Sequence, residues 1–68
     1  MIEIKIRTEY ITLGQMLKYI GVVGSGSEAR LFLENEKVYV NDEEEHRRGR
    51  KLYPNYIIKI FNNEYKVI

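Results

Sequence analysis

Cysteine and tryptophan are absent from the 68-residue chain, and proline occurs once, at Pro54. Without cysteine there is no disulfide framework and no thiolate metal site, and the composition fits a reducing compartment. No apolar run approaches the roughly 20 residues that a spanning helix needs. The N-terminus, Met-Ile-Glu-Ile-Lys-Ile-Arg, alternates instead of forming the unbroken core of a signal peptide. The expectation is a soluble, unexported, cytoplasmic chain with no membrane partner. A chain this short buries only about 60% of its unfolded surface. One small core, a single domain over residues 1–68 and no enclosed active-site cavity are therefore expected, with no cofactor and no small-molecule substrate.

Net charge is also nearly missing, since eleven Lys and Arg against ten Asp and Glu leave +1. The distribution is more telling than the sum. Residues 28–45 hold seven acids against Arg30 and Lys37, whereas residues 46–68 hold six bases against Glu64. Such segregation predicts a local basic patch, or two blocks that pair with one another on adjacent strands.

Ile2, Ile4 and Ile6 alternate with Glu3, Lys5 and Arg7, the period of a strand with one buried face. Thr12 then opens a helix. Thr12 and Gln15 form a capping box, Ile11 and Met16 stand at the staple positions, and Leu13, Met16, Leu17 and Ile20 make one apolar stripe. Gly21 is placed to end that helix in a left-handed conformation. A second helix follows Gly24, with Ser25 and Glu28 as a capping-box pair and Ser27 as the alternative N-cap. Ala29, Phe32 and Leu33 form its buried stripe, Arg30 and Glu34 share a flank, and Leu31 faces roughly opposite. Asn35 is suited to a left-handed helix end.

Val38–Val40 reads as a strand, turning at Asn41-Asp42 and returning through 43–47. Gly49 and Pro54-Asn55 mark an excursion rich in Arg and Lys, and residues 57–61 and 64–68 flank a two-residue hairpin signal at Asn62-Asn63. The coarse order is β-α-α-β-β-β-β, an α/β chain of the α+β type.

Little in this inventory supports catalysis. Ser25, Ser27, His46 and Asp42 are nominally a hydrolytic set, but activation needs a base within reach of the nucleophile and a third group orienting it, and the lone His46 is expected exposed in a highly charged strand or loop. The acids of 42–45 alternate across strand faces or point into solvent and lack the spacing of a calcium loop, so no metal is expected. Ser25-Gly26-Ser27 is not a nucleotide-binding glycine loop. It opens a helix, whose free amides and dipole suit an anion. The strongest chemical signal is Arg47-Arg48-Gly49-Arg50-Lys51, four cations in five residues. Arginine's planar fork suits phosphate. Among six tyrosines, Tyr39, Tyr53 and Tyr56 lie nearest this run and are the candidate stacking faces.

Leu13–Leu17, Gly21-Val22-Val23, Ser25 with Ala29-Arg30, and Val38-Tyr39-Val40-Asn41 together resemble the alpha-L RNA-binding domain, defined in ribosomal protein S-four. The same domain recurs in heat-shock protein fifteen, pseudouridine synthases and tyrosyl-tRNA synthetases. The continuation Glu45-His46-Arg47-Arg48-Gly49-Arg50-Lys51-Leu52 resembles the small stand-alone YaaA-like subgroup, and the likeness is strongest over residues 11–60. It implies an alpha-L fold, two helices packed on a small mainly antiparallel sheet, without catalysis of its own. It also implies that the second helix and the following strand face structured RNA, ribosomal or transfer RNA being the classes in view. The positions carried over are Ser25, Gly26, Ser27, Arg30, Asn41, Arg47, Arg48, Arg50 and Lys51. The sequence departs from the family where Gly26 replaces a basic residue after the serine, where Glu36 replaces a glycine before the strand, where Asn41-Asp42 replaces Asn-Gly, and where Pro54-Asn55-Tyr56 replaces Pro-Gly-Asp. These changes shift the expected burden from the helix to Arg47–Lys51. A competing expectation is a protein-interaction adaptor that docks through a β-hairpin edge on a ribosome-associated or replication protein. A ubiquitin-like sulfur carrier is excluded by the ending Tyr65-Lys66-Val67-Ile68, which has no Gly-Gly.

Overall fold

The protein is described by a computed structural model over residues 1–68. Its elements run β1 (Ile2–Ile4), β2 (Ile11–Thr12), α1 (Leu13–Tyr19), α2 (Gly26–Asn35), β3 (Val38–Val40), β4 (Glu43–Glu44), β5 (Lys51–Leu52), β6 (Ile57–Ile60) and β7 (Asn63–Val67). Five strands form one sheet in the order β1-β7-β6-β3-β4, and β2 pairs with β5 separately. Only the β1–β7 pairing is parallel, so the architecture is α+β with a mainly antiparallel sheet, as expected. The two-residue strands β2 and β5 add to the expected order, because so short a pairing carries no periodicity to read.

Strand alternation decides the core. Ile4, Val38, Val40, Ile58, Ile60, Tyr65 and Val67 share the inner sheet face, and Leu13, Met16, Leu17, Ala29 and Leu33 come down from the two helices to meet them. Leu52, from the two-residue β5, completes this core at 0% exposure. It thereby fixes the end of the basic run to the middle of the protein.

The caps follow local chemistry closely. Thr12 and Gln15 make the full reciprocal box at the start of α1. After the C-cap Ile20, Gly21 turns left-handed at φ 82°. Ser25 is the N-cap of α2 and accepts from Glu28 N, but the Glu28 carboxylate accepts from Gly24 N, one residue before the expected partner. Asn41 and Asp42 both take positive φ, 51° and 69°, which is the pattern of a type I′ hairpin turn. Asn55 at φ 79° follows Pro54 in a turn closed by Tyr56 N donating to Tyr53 O.

Four local expectations are corrected. Asn35 stays helical, with its amide donating to Leu31 O, because Glu36 at φ −119° leads straight toward β3 without a left-handed turn. The same φ explains why no glycine is required at position 36. The β6–β7 loop is Phe61-Asn62, not Asn62-Asn63: Ile60 pairs with Asn63, and Phe61 takes φ 55°. There the Phe61 ring meets Phe32 edge-on at 5.8 Å, a tertiary contact that outweighs asparagine's turn preference. Strand β1 ends at Ile4, with Ile6 N reaching only Ile68 O beyond it. Strand β4 ends at Glu44; Glu45 N still donates to Val38 O at 2.8 Å, and residues 46–47 carry no strand.

Candidate nucleic-acid interface

The basic excursion is anchored on both sides. Leu13 N donates to Arg50 O at 2.9 Å and Gly14 N to Arg48 O at 2.8 Å, so the loop's carbonyls satisfy two of the free amides opening α1. Gly14 eases this approach, since a Cβ there would lie 3.3 Å from both the Arg48 carbonyl and the Arg48 Cβ and would push the loop back by a few tenths of an ångström. Thr12 pairs with Lys51 and Ile11 with Leu52 in the β2–β5 clip. The run Arg47–Lys51 is thus a shelf tied to a helix terminus.

Glu45 organises its interior. From the sequence the acids of 42–45 are expected in solvent, but Glu45 is 7% exposed. Its carboxylate accepts from His46 N, Arg47 N, Arg47 Nε and Nη2, and Arg50 Nη1, at 2.8–3.1 Å. The Arg47 side chain binds it as a two-pronged fork. These donors, Arg47 first, outweigh burial and hold the Glu45 carboxyl at about 2. Arg47 and Arg50 are therefore partly committed inside the protein, and Arg50 is the more so, with its side chain only 25% exposed. His46 Nδ1 meets Leu33 O and Nε2 meets Glu44 Oε2, both at 2.8 Å; these oxygens only accept, so the protonated ring donates to both. The carbonyl contact, then the Glu44 carboxylate, raises its pKa. Because Leu33 O is one of the orphan carbonyls at the end of α2, the imidazole acts as a cap.

Arg48 is oriented differently. No carboxylate pairs with it, and its guanidinium lies beside the first residue of α2, where a Cβ on Gly26 would approach Nη1 to 3.1 Å. Ser27, Arg30, Leu31, Glu34 and Arg48 line one shallow groove. Arg30 and Glu34 pair across 3.4 Å on the exposed helix flank. The Gly26 and Ser27 amides precede any residue that the helix could offer as acceptor, because Ser25 Oγ takes Glu28 N and Ser25 O takes Ala29 N. Helix terminus, Arg30 and Arg48 thus converge, although the helix and loop lie about twenty residues apart in sequence.

The remaining candidates separate into two groups. Tyr53 stands 5.7 Å from both Tyr10 and Tyr56, Arg50 lies 6.0 Å over Tyr56, and Lys51 Nζ lies 5.0 Å over Tyr10. Tyr10 was not among the sequence candidates, because nothing local marks a tyrosine before β2 as a neighbour of residue 53. Tyr39 is elsewhere, on the outer sheet face opposite Glu44 and Lys59. Asn41 also has an internal duty: its Oδ1 accepts from Ile57 N, while its own N–H donates to Ile57 O. Lys59 is held by Asp42 and then Glu64, which raises its pKa. Part of the acid–base segregation in the sequence is therefore internal pairing. No group of three His, Asp or Glu is gathered for a metal ion, and no helix is long and apolar enough to cross a membrane.

A sequence model of the S4 domain matches residues 4–68. The chain belongs to the S4 domain family. It is also 53% identical over 57 residues to the probable ribosome maturation protein RlbA of Bacillus subtilis (strain 168), an alignment covering 84% of this chain and 80% of that protein. In this S4 domain the departure at Gly26 acquires a geometric counterpart. Where the resemblance leads one to expect a cation directly after the serine, a guanidinium arrives from the loop instead and occupies the space that the missing side chain leaves.

Proposed function

We propose that this S4 domain is a non-catalytic RNA-binding module of the cytoplasm that recognises structured RNA through its phosphates, in the setting of the ribosome. Membership of the S4 family and likeness to a protein named for ribosome maturation support an RNA-binding or ribosome-associated role. The observation that carries the finer reading is the convergence of Ser27, Arg30 and Arg48 on one groove, with the Arg48 guanidinium beside Gly26 at the start of α2. Arg48 and Arg30 neutralise phosphates, the α2 amides bind one phosphate oxygen, and Lys51 extends the track. Arg47 and Arg50 contribute the guanidinium edges that Glu45 leaves free. Tyr53 and Tyr56 offer ring faces beside the cations, Asn41 keeps one amide group for the ligand, and Tyr39 serves a separate outer surface. Phosphate contacts position a protein without reading bases, so recognition is by RNA shape.

The test is a salt-dependent titration of a structured RNA with the wild type and with Arg48→Ala/Lys51→Ala. Both residues can be removed without touching the Glu45 cluster. About four phosphate contacts give a slope of log affinity against log salt near −3, and the double variant brings it to about −1.5. An unchanged affinity and slope would remove these two residues from the interface. Binding that survives nuclease treatment and moderate salt would favour the adaptor reading, although the edge strand β4 is only two exposed glutamates long.

A further inference from the structure

The outer side of α2 carries a second surface of opposite character. Glu28, Leu31, Phe32, Asn35 and Glu36 recur at helical spacing on this side, and with Val22 and Val23 they line an open groove. Leu31 is 58% exposed and Val22 37%, and Phe61, 64% exposed, continues the apolar strip through its contact with Phe32. Val23 belongs to the core and Phe32 packs against it, but Val22, Leu31 and Phe61 lie outside it, so their apolar strip requires an explanation of its own. The groove has two carboxylates and no cation in its lining. Leu31 also borders the groove that holds Arg30 and Arg48. The surface charge therefore changes sign across the width of one helix.

From this charge pattern we infer that the Val22–Leu31–Phe32 groove docks a basic, amphipathic segment of another protein, with apolar side chains against Leu31 and Phe32 and Lys or Arg facing Glu28 and Glu36. RNA is the wrong occupant, because its phosphates meet carboxylates with no cation to offset them. A second copy in a twofold contact is also disfavoured, because each copy's Glu28 and Glu36 would face those of the other. A cationic segment with apolar residues at i, i+3 and i+4 matches both the strip and its rim. Such a surface would let the domain hold RNA on one flank of α2 and a basic protein on the other.

The probe is a synthetic Leu/Lys amphipathic helix of about four turns, titrated into the isotope-labelled full chain while amide shifts are followed. An otherwise identical Leu/Glu peptide is the control. Shifts centred on Val22, Leu31, Phe32 and Phe61 with the Lys peptide alone are the expected result. Leu31→Ser and, independently, Glu36→Lys each weaken the peptide about tenfold; both sites are exposed, so the fold is kept. Val22→Ser weakens the peptide but leaves affinity for structured RNA unchanged. Four results would overturn the inference: no shift with the Lys peptide, equal binding of the Glu peptide, structured RNA moving the Val22, Phe32 and Phe61 amides, or a dimer in sedimentation that Leu31→Ser dissolves.

Discussion

Replacing Glu45 with glutamine tests whether the basic shelf is organised from within. The carboxyl lies at about 2 against an ordinary 4.5, a gap corresponding to about 3 kcal/mol of stability at neutral pH. A depressed folded pKa contributes stability that is complete above about 4.5 and is lost as pH falls through about 2. Two features reduce what Glu45→Gln should cost at pH 7. The Arg47 side chain is largely exposed, so solvent screens its share, and a carboxamide oxygen still accepts one or two of the donors. Against this, Arg50 is three-quarters buried and would lose its counter-charge. The expected net loss is about 2 kcal/mol, or a fall in Tm of about 10 °C for a domain of this size. Urea unfolding followed by circular dichroism at pH 7 and pH 2 supplies both numbers. The two proteins should differ at pH 7 and converge toward pH 2, where much of the wild-type carboxyl is protonated. A variant within about 0.5 kcal/mol of the wild type at pH 7, or a gap that persists undiminished at pH 2, would refute the reasoning.

Other perturbations isolate single contacts. Gly26→Glu places a carboxylate against the Arg48 guanidinium and at the positive end of α2, so thermal stability should hold or rise while affinity for structured RNA falls about tenfold; parallel melting and binding curves separate the two. Gly21→Ala meets nothing within 4 Å, yet at φ 82° the backbone alone should cost about 1 kcal/mol in denaturant unfolding. His46, with its pKa raised by Leu33 O and Glu44, contributes stability that is complete below about 6.5 and disappears as pH rises through its folded value. Its ring proton shifts, followed by NMR, should therefore titrate above that of a free imidazole, and His46→Phe should flatten the stability profile on the alkaline side of about 6.5.

The sequence by itself determined the local framework of this protein. Hydroxyl residues at Thr12 and Ser25 start both helices, because their oxygens satisfy amides that no helix can satisfy internally. Alternation in 38–40, 57–60 and 63–67 decides which face of the sheet is buried, and Asn41-Asp42 sets a left-handed turn. Only the tertiary structure decided what the basic run does. Four cations in five residues look equivalent along the chain. In space Glu45 captures two of them, Tyr10 lies under a third, and Gly26 makes room for the fourth at the start of α2. Tyr10 and Gly26 come from distant parts of the chain brought near by the core, and Glu45, though only two residues from Arg47, is singled out from its acidic neighbours by its burial. The same holds for the strip beside it. Leu31 could be placed on the outer flank of α2 from periodicity, but Val22 and Phe61 join it only because the helices and the β6–β7 turn pack against the same small interior.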